Sequence, residues 1–478
     1  MKADSNTIKI CYIGGGSRNW AWVLMQDLCF EKDIRGTVEL YDIDLDAARH
    51  NEALGNALLA EHNPGVWKFR ANSSLQNALE DSDFVFISIL PGDFEEMAVD
   101  VHEPERYGIY QSVGDTVGPG GIIRAMRTIP QFQEIAWAIK KWAPGAWVLN
   151  YTNPMTVCTR TLYRVFPEIR AFGCCHEVFN TQKLLIRVLE EAGLMERDSA
   201  RREDISTGVL GINHFTWIDR ASYRDIDIFP YYRDFAARYA ATGFLGAGAA
   251  TTFAAGSAGT IAAEDPGELL RQKYFSSAER VKLDLFRRYG LIAAAGDRHL
   301  AEFCPHSWYM ASPEHAESWG FALTPVSWRI ENREKLRRQS RAYREGREKL
   351  RPVSSGEEGL TIMKALLGLG NLVTNVNQPN RGQMPDMPGG AVVETNAFLS
   401  RDHIQPLVCL ELPGDVRALV MPQVLIQEAI VEASLARDRE AAFRVFCQDL
   451  SIQSLSLKDA RELFEAMCDK TLGASWGV

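Results

Sequence analysis

Positive charge is in short supply: 52 Lys+Arg stand against 62 Asp+Glu, a formal net charge of −10. Neutralising a phosphate backbone needs the opposite balance, so no nucleic-acid partner is expected. The opening MKADSNTIKICYIGGGS carries no basic stretch followed by an apolar one, which argues against a secretory leader and for a cytoplasmic location. The 9 cysteines are scattered without the tight spacing of a disulfide-stapled scaffold, and reduced thiols are expected. A long run of Leu, Ile and Val is missing too. The longest uncharged stretch, 239–263, is mostly Ala, Gly and Thr; it reads as a mobile connection or lid, and no membrane partner is expected. Internal repeats and low-complexity segments are absent.

What remains is the composition of a soluble globular protein, 46% hydrophobic and 24% charged. Its 478 residues exceed the roughly 250 to 300 that one core supports, which implies two closely packed lobes. Short apolar runs at 8–13, 38–41, 84–90, 146–151 and 171–174 read as strands, with helical patterns between several of them. That alternation predicts a parallel sheet covered on both faces. Past residue 200 the rhythm changes to longer strands over 206–218 and then long helices. The run 329–351, crowded with Arg, Lys and Glu, reads as a solvated helix face. Segments 360–372 and 421–436 suit a core or a subunit interface.

Gly14-Gly15-Gly16-Ser17 follows the first strand and opens a helix, the position at which bare N–H groups and a positive helix end can hold a pyrophosphate. The third glycine of the usual fingerprint is replaced by Arg18-Asn19-Trp20. Asp42 ends the second strand, where a carboxylate can accept both ribose hydroxyls and repel a 2′-phosphate, favouring NAD over NADP. Gly14, Gly16, Ser17 and Asp42 are therefore the expected cofactor residues. The expected class is α/β: an N-terminal Rossmann-like doubly wound sheet over 1–200, then a C-terminal α+β domain over 201–478 for substrate, metal and oligomerisation. Three more clusters follow strand ends: Asn150-Tyr151-Thr152-Asn153-Pro154, Gly173-Cys174-Cys175-His176-Glu177-Val178, and Gly211-Ile212-Asn213-His214. A Cys thiolate and a His imidazole can share a divalent metal, although each alone is as well read as a satisfied polar residue.

Taken in this order, the Gly turn, Asn153-Pro154, the Cys-His cluster and Asn213-His214 resemble the NAD- and manganese-dependent glycosidases of glycoside hydrolase family 4. Cys175-His176-Glu177-Val178 resembles the signature of that family's α-galacturonidase branch. The resemblance is strongest from residue 8 to 217. It implies hydrolysis of α-galacturonides, such as pectin-derived oligosaccharides, by an exception to two-carboxylate chemistry. NAD⁺ takes a hydride from C3 of the sugar, the C2 proton becomes acidic, the C1 oxygen leaves, water adds and the hydride returns. A divalent metal, Mn²⁺ or another, polarises the ketone. By matching motifs, Cys175 and His214 would ligate the metal, Asp297 would take the C2 proton and Asp115 would protonate the leaving oxygen. Asn153, His176, Glu177 and Asn213 would line the sugar. Arg298, with His299 and Arg381 as further candidates, would meet the uronate carboxylate. The resemblance and the apolar C-terminal helices imply a homodimer or homotetramer. Alternatives are an α-glucuronidase, α-galactosidase or α-glucosidase of the same family, an NAD-dependent 2-hydroxyacid dehydrogenase, and a non-catalytic nucleotide sensor.

Overall fold

The structure, a computed structural model, describes residues 7–245, 274, 276–473 and 476. Six strands come first: β1 (Thr7–Ile13), β2 (Arg35–Tyr41), β3 (Trp67–Asn72), β4 (Phe84–Ile87), β5 (Trp147–Asn150) and β6 (Arg170–Gly173). All are parallel and stand in the order β3-β2-β1-β4-β5-β6, the doubly wound arrangement of nucleotide-binding sheets. Helices cover both faces, which is why runs such as Phe84-Val85-Phe86-Ile87 are apolar at every position and buried throughout. The five strands expected from sequence are present within a few residues. β3 was not expected: WKFRAN alternates buried with exposed side chains at the sheet edge, a pattern weaker than a continuous apolar run. The Gly- and Pro-rich stretch before β5 holds two helices, Phe94–His102 and Gly118–Trp142.

The remaining strands make two contributions. β7 (Ile205–Ile212), β8 (Phe215–Tyr223), β9 (Ile226–Asp227) and β10 (Ile292–Ala293) form a small antiparallel sheet. β11 (Leu372–Pro379), β12 (Val392–Ser400) and β13 (His403–Pro406) return to the first sheet, where β11 lies antiparallel to β6 with Asn377 opposite Gly173. The main sheet thus has nine strands and draws on both sides of residue 200. The segment 360–372 is divided: its helix ends at Leu367 and β11 begins at Leu372. Helix Gly414–Leu435 is long and apolar enough to cross a membrane, yet it packs on Gly118–Trp142 and Met155–Val165 as a core element. Of the Ala- and Gly-rich stretch, residues 246–263 lie outside the described residues.

Register fixes where the chemistry sits. Ile13 pairs with both Tyr41 and Ile87, Ile87 with Asn150, and Asn150 with Gly173, so β1, β2, β4, β5 and β6 end level. The loops that follow them share one carboxyl edge, the edge at which doubly wound sheets hold ligands.

Candidate active site

At that edge the glycine turn is forced by space. A Cβ on Gly14, whose φ is +95°, would stand 2.0 Å from the Ser88 carbonyl oxygen, and one on Gly16 would stand 2.9 Å from Asp42 Oδ2. The turn is tied down from two sides. Gly14 and Gly15 N–H donate to the Tyr41 carbonyl, and Gly16 N–H donates to Asp42 Oδ2 at 2.8 Å. Asn51, buried on helix Leu45–His62, donates to the Gly15 and Ser17 carbonyls, both at 2.8 Å. The Ser17 N–H donates to the Gly14 carbonyl, and its hydroxyl accepts from the Trp20 N–H that starts helix Trp20–Leu28. The expectation of bare N–H groups over 14–17 is therefore corrected: the glycines let the turn pack tightly against Ser88, Ala47 and Asp42, and their amides hold it.

Further along the edge, Asp115, His214 and His299 bring their ligand atoms within 4.8 Å of one another. His214 comes from the turn between β7 and β8, whose Asn213–His214 peptide is cis, as is Asn153–Pro154 after β5. The His214 and His299 rings stack with centroids 3.9 Å apart. Thr116 Oγ1 donates to Asp115 Oδ1 at 2.7 Å and lies 3.0 Å from His214 Nδ1. A hydroxyl has one proton, and this one goes to Asp115, so Nδ1–H of His214 donates to Thr116 and Nε2 keeps its lone pair. Asn153 Nδ2 donates to Asp115 Oδ2 at 3.3 Å. Glu302 Oε1 accepts the Val113 and Gly114 N–H groups and so fixes the loop that carries Asp115.

Charge in the site is unevenly held. Burial raises the Asp115 carboxyl, but His299, Arg124 and His214 outweigh it and keep the group far below the usual carboxylate range. An acid that gives its proton to a leaving group must first hold one. Thr116 and Asn153 both donate to Asp115, an arrangement that suits a carboxylate. Burial and then His299 lower His214 to about 3, leaving a neutral imidazole. Burial raises Glu177, but His299, His176 and His214 and the Gly296 N–H hold it at about 2. Glu177 Oε1 also lies 4.0 Å from His176 Nε2. His176 Nδ1 faces Glu357 at 3.5 Å.

Other expected residues are placed differently. Cys175 is buried beside Glu394, Glu177 and Asn213, with its thiol pushed well up by burial first and those carboxylates next; the Asp115–His214–His299 cluster does not include it. The Asp297 carboxyl does not join the cluster either. It accepts the Lys282 N–H at 3.0 Å in the first turn of helix Arg280–Tyr289, and burial with neighbouring Glu279 pushes it up to about 7. Its Oδ2 is buried without a hydrogen-bond partner among the described residues, and His299, two residues on, joins the cluster. The Arg298 guanidinium donates to the Ser112 carbonyl and Thr324 Oγ1. Arg381 is exposed over the Tyr163 ring, outside the cluster. Arg329, from the helix Val326–Arg344 expected to be a mere solvated face, acts electrostatically on Asp115 and Glu302. The 3-residue step from His299 to Glu302 puts both on one helix face, a signal the sequence offered.

Strand order and glycine turn define the class, a Rossmann-type nucleotide-binding protein. Within that class, the chain belongs to family 4 of the glycosyl hydrolases. The family model matches residues 9–191, and the model of the family's C-terminal domain matches residues 209–452. An α-galacturonidase of Thermoanaerobacter italicus (strain DSM 9252 / Ab9) is 52% identical over 462 residues, 97% of this chain and 96% of that protein. The crystal structure of a Bacillus subtilis protein assigned as a glucosidase shares 49% identity and a TM-score of 0.87 over 96% of this chain and 99% of that one. A 6-phospho-α-glucosidase from gut microorganisms, solved with NAD and Mn²⁺, has a TM-score of 0.79 at 21% identity over 98% of each chain, a likeness of fold.

Proposed function

We propose that this protein is an NAD- and Mn²⁺-dependent α-galacturonidase that hydrolyses short α-linked galacturonides in the cytoplasm. The observation that carries the substrate class is the full-length likeness to an α-galacturonidase. The seated Glu177 of Cys175-His176-Glu177-Val178 supports it.

The residues present fit both helpers. The ribose of NAD fits the Asp42 carboxylate at the end of β2, which the Gly16 N–H holds against the glycine turn. A divalent cation fits the neutral His214, whose Nε2 lone pair is kept available by Thr116 and whose ligand atoms lie within 4.8 Å of those of Asp115 and His299, with the Cys175 thiol as the further ligand that the motif offers. Bound NAD supplies a reversible acceptor for a hydride from sugar C3, and a bound divalent ion supplies a Lewis acid beside the sugar oxygens.

The chain's own residues do the rest. Asn153 Oδ1 and Asn213 Oδ1 are buried acceptors without a hydrogen-bond partner among the described residues, which suits them to bind sugar hydroxyls. Asp115, held ionised and oriented by Thr116 and Asn153, takes a proton and later returns it. Arg124, Arg298 and Arg329 place positive charge around Asp115, and Arg298 acts on Glu177 as well, which draws a uronate in despite the acidic surface. Subunit contact is proposed through the exposed Val408, Leu410 and Leu425, 71%, 65% and 55% exposed.

The test is galacturonate release from an α-linked galacturonide with NAD⁺, Mn²⁺ and a thiol reductant, then with each omitted. Release should need all three and leave no net NADH. Release without NAD⁺ would overturn the reading.

A further inference from the structure

Glu394 stands on β12, 1% exposed, behind the turn that carries His214. Its carboxylate is gripped by three neutral side chains. Thr216 Oγ1 donates to Oε2 at 2.7 Å, Asn213 Nδ2 to Oε2 at 3.5 Å, and Asn375 Nδ2 to Oε1 at 2.6 Å. Asn375 Nδ2 also donates to the Cys175 carbonyl at 3.4 Å, and the Asn213 side chain bonds the Cys175 thiol. Among the described residues no Lys, Arg or His pairs with Glu394; its recorded partners are hydroxyl and amide donors. Burying a carboxylate costs several kcal/mol when no cation balances it. Other buried carboxylates have cationic neighbours, as Asp115 has Arg124 and Glu358 has Arg202. Glu394 bonds instead to Asn213, the residue before His214, and through Asn375 it reaches the Cys175 carbonyl.

We infer that Glu394 is a positioning residue for the divalent cation: through Asn213 and Asn375 it sets Cys175 and the His214 turn, and its charge balances the ion they share. The inference rests on the reading of Cys175 and His214 as metal ligands. A purely structural role, tying β12 to β8 and β11 by hydrogen bonds, uses both acceptor oxygens and no charge, and losing one of them would lower the melting temperature of the metal-free protein.

The two roles separate in Glu394→Gln, which keeps the shape and one acceptor oxygen but removes the charge. The measurement is Mn²⁺ affinity of full-length, metal-stripped protein, read from the EPR signal of free Mn²⁺, alongside the melting temperature of the metal-free protein. Cys175→Ser and His214→Gln serve as the check on the ligands. Glu394→Gln should bind Mn²⁺ about 10- to 100-fold more weakly with an unchanged metal-free melting temperature. Affinity within about threefold of wild type, while the two ligand variants lose binding, would overturn the role of Glu394. Unchanged affinity in both ligand variants would overturn the ligand assignment instead. Should Glu394→Gln not fold, Thr216→Val carries the test, because it releases the oxygen shared with Asn213. A loss of at least about threefold supports the relay, and wild-type affinity overturns it.

Discussion

The hydroxyl of Thr116 decides which nitrogen of His214 carries the proton. Thr116→Val keeps the volume but lets the ring choose its tautomer, so Mn²⁺ affinity should fall about 10- to 100-fold, while Thr116→Ser stays near wild type; titration with Mn²⁺ reads both. Asp297 makes a different kind of prediction. Its folded pKa, about 7, lies above the unfolded value of about 3.9. The protonated form is thus favoured by folding, and the stability it contributes is full below the unfolded value and lost as pH rises through about 7. Melting temperature should fall by a few degrees between pH 5 and pH 8, and Asp297→Asn should flatten that fall with activity largely kept. Loss of activity with an unchanged fold would identify Asp297 as the base. Cys175, His214, Asn153 and Asn213 could be singled out from sequence because each follows a strand in a recognisable local motif. Thr116, Arg329 and Glu394 could not, because their importance lies in contacts between distant stretches, and local spacing records nothing of those.

The turn after β1 was readable for a related reason: its three glycines answer to backbone geometry within a few residues. Gly14→Ala should destabilise the protein by about 2–3 kcal/mol and abolish NAD binding, since the new methyl meets the Ser88 carbonyl while φ stays at +95°. Thermal melting and cofactor titration by fluorescence check the two halves. Parallel strands buried on both faces were found as apolar runs. The edge strand β3 and the helix Gly118–Trp142 were missed, the first for its half-polar alternation and the second because Gly118, Pro119, Gly120 and Gly121 at its start imitate a loop. Packing under the main sheet settles that ambiguity, and packing is invisible in a one-dimensional pattern.

The nine-stranded sheet binds the two halves of the chain together. β6 has β5 on one side and β11 on the other, so a fragment ending at residue 200 keeps its nucleotide-binding strands but opens the β6 edge. Such a fragment should self-associate, and gel filtration should show it leaving the monomer position while the full chain melts in one transition. Cys175 and Asn375, which meet in the fold, are 200 residues apart in sequence. At ~5–20 residues per second, a ribosome delivers the second some ~10–40 s after the first. Throughout that interval the nascent chain offers an unpaired β6 to its surroundings, and a holding chaperone is the expected company until β11 arrives.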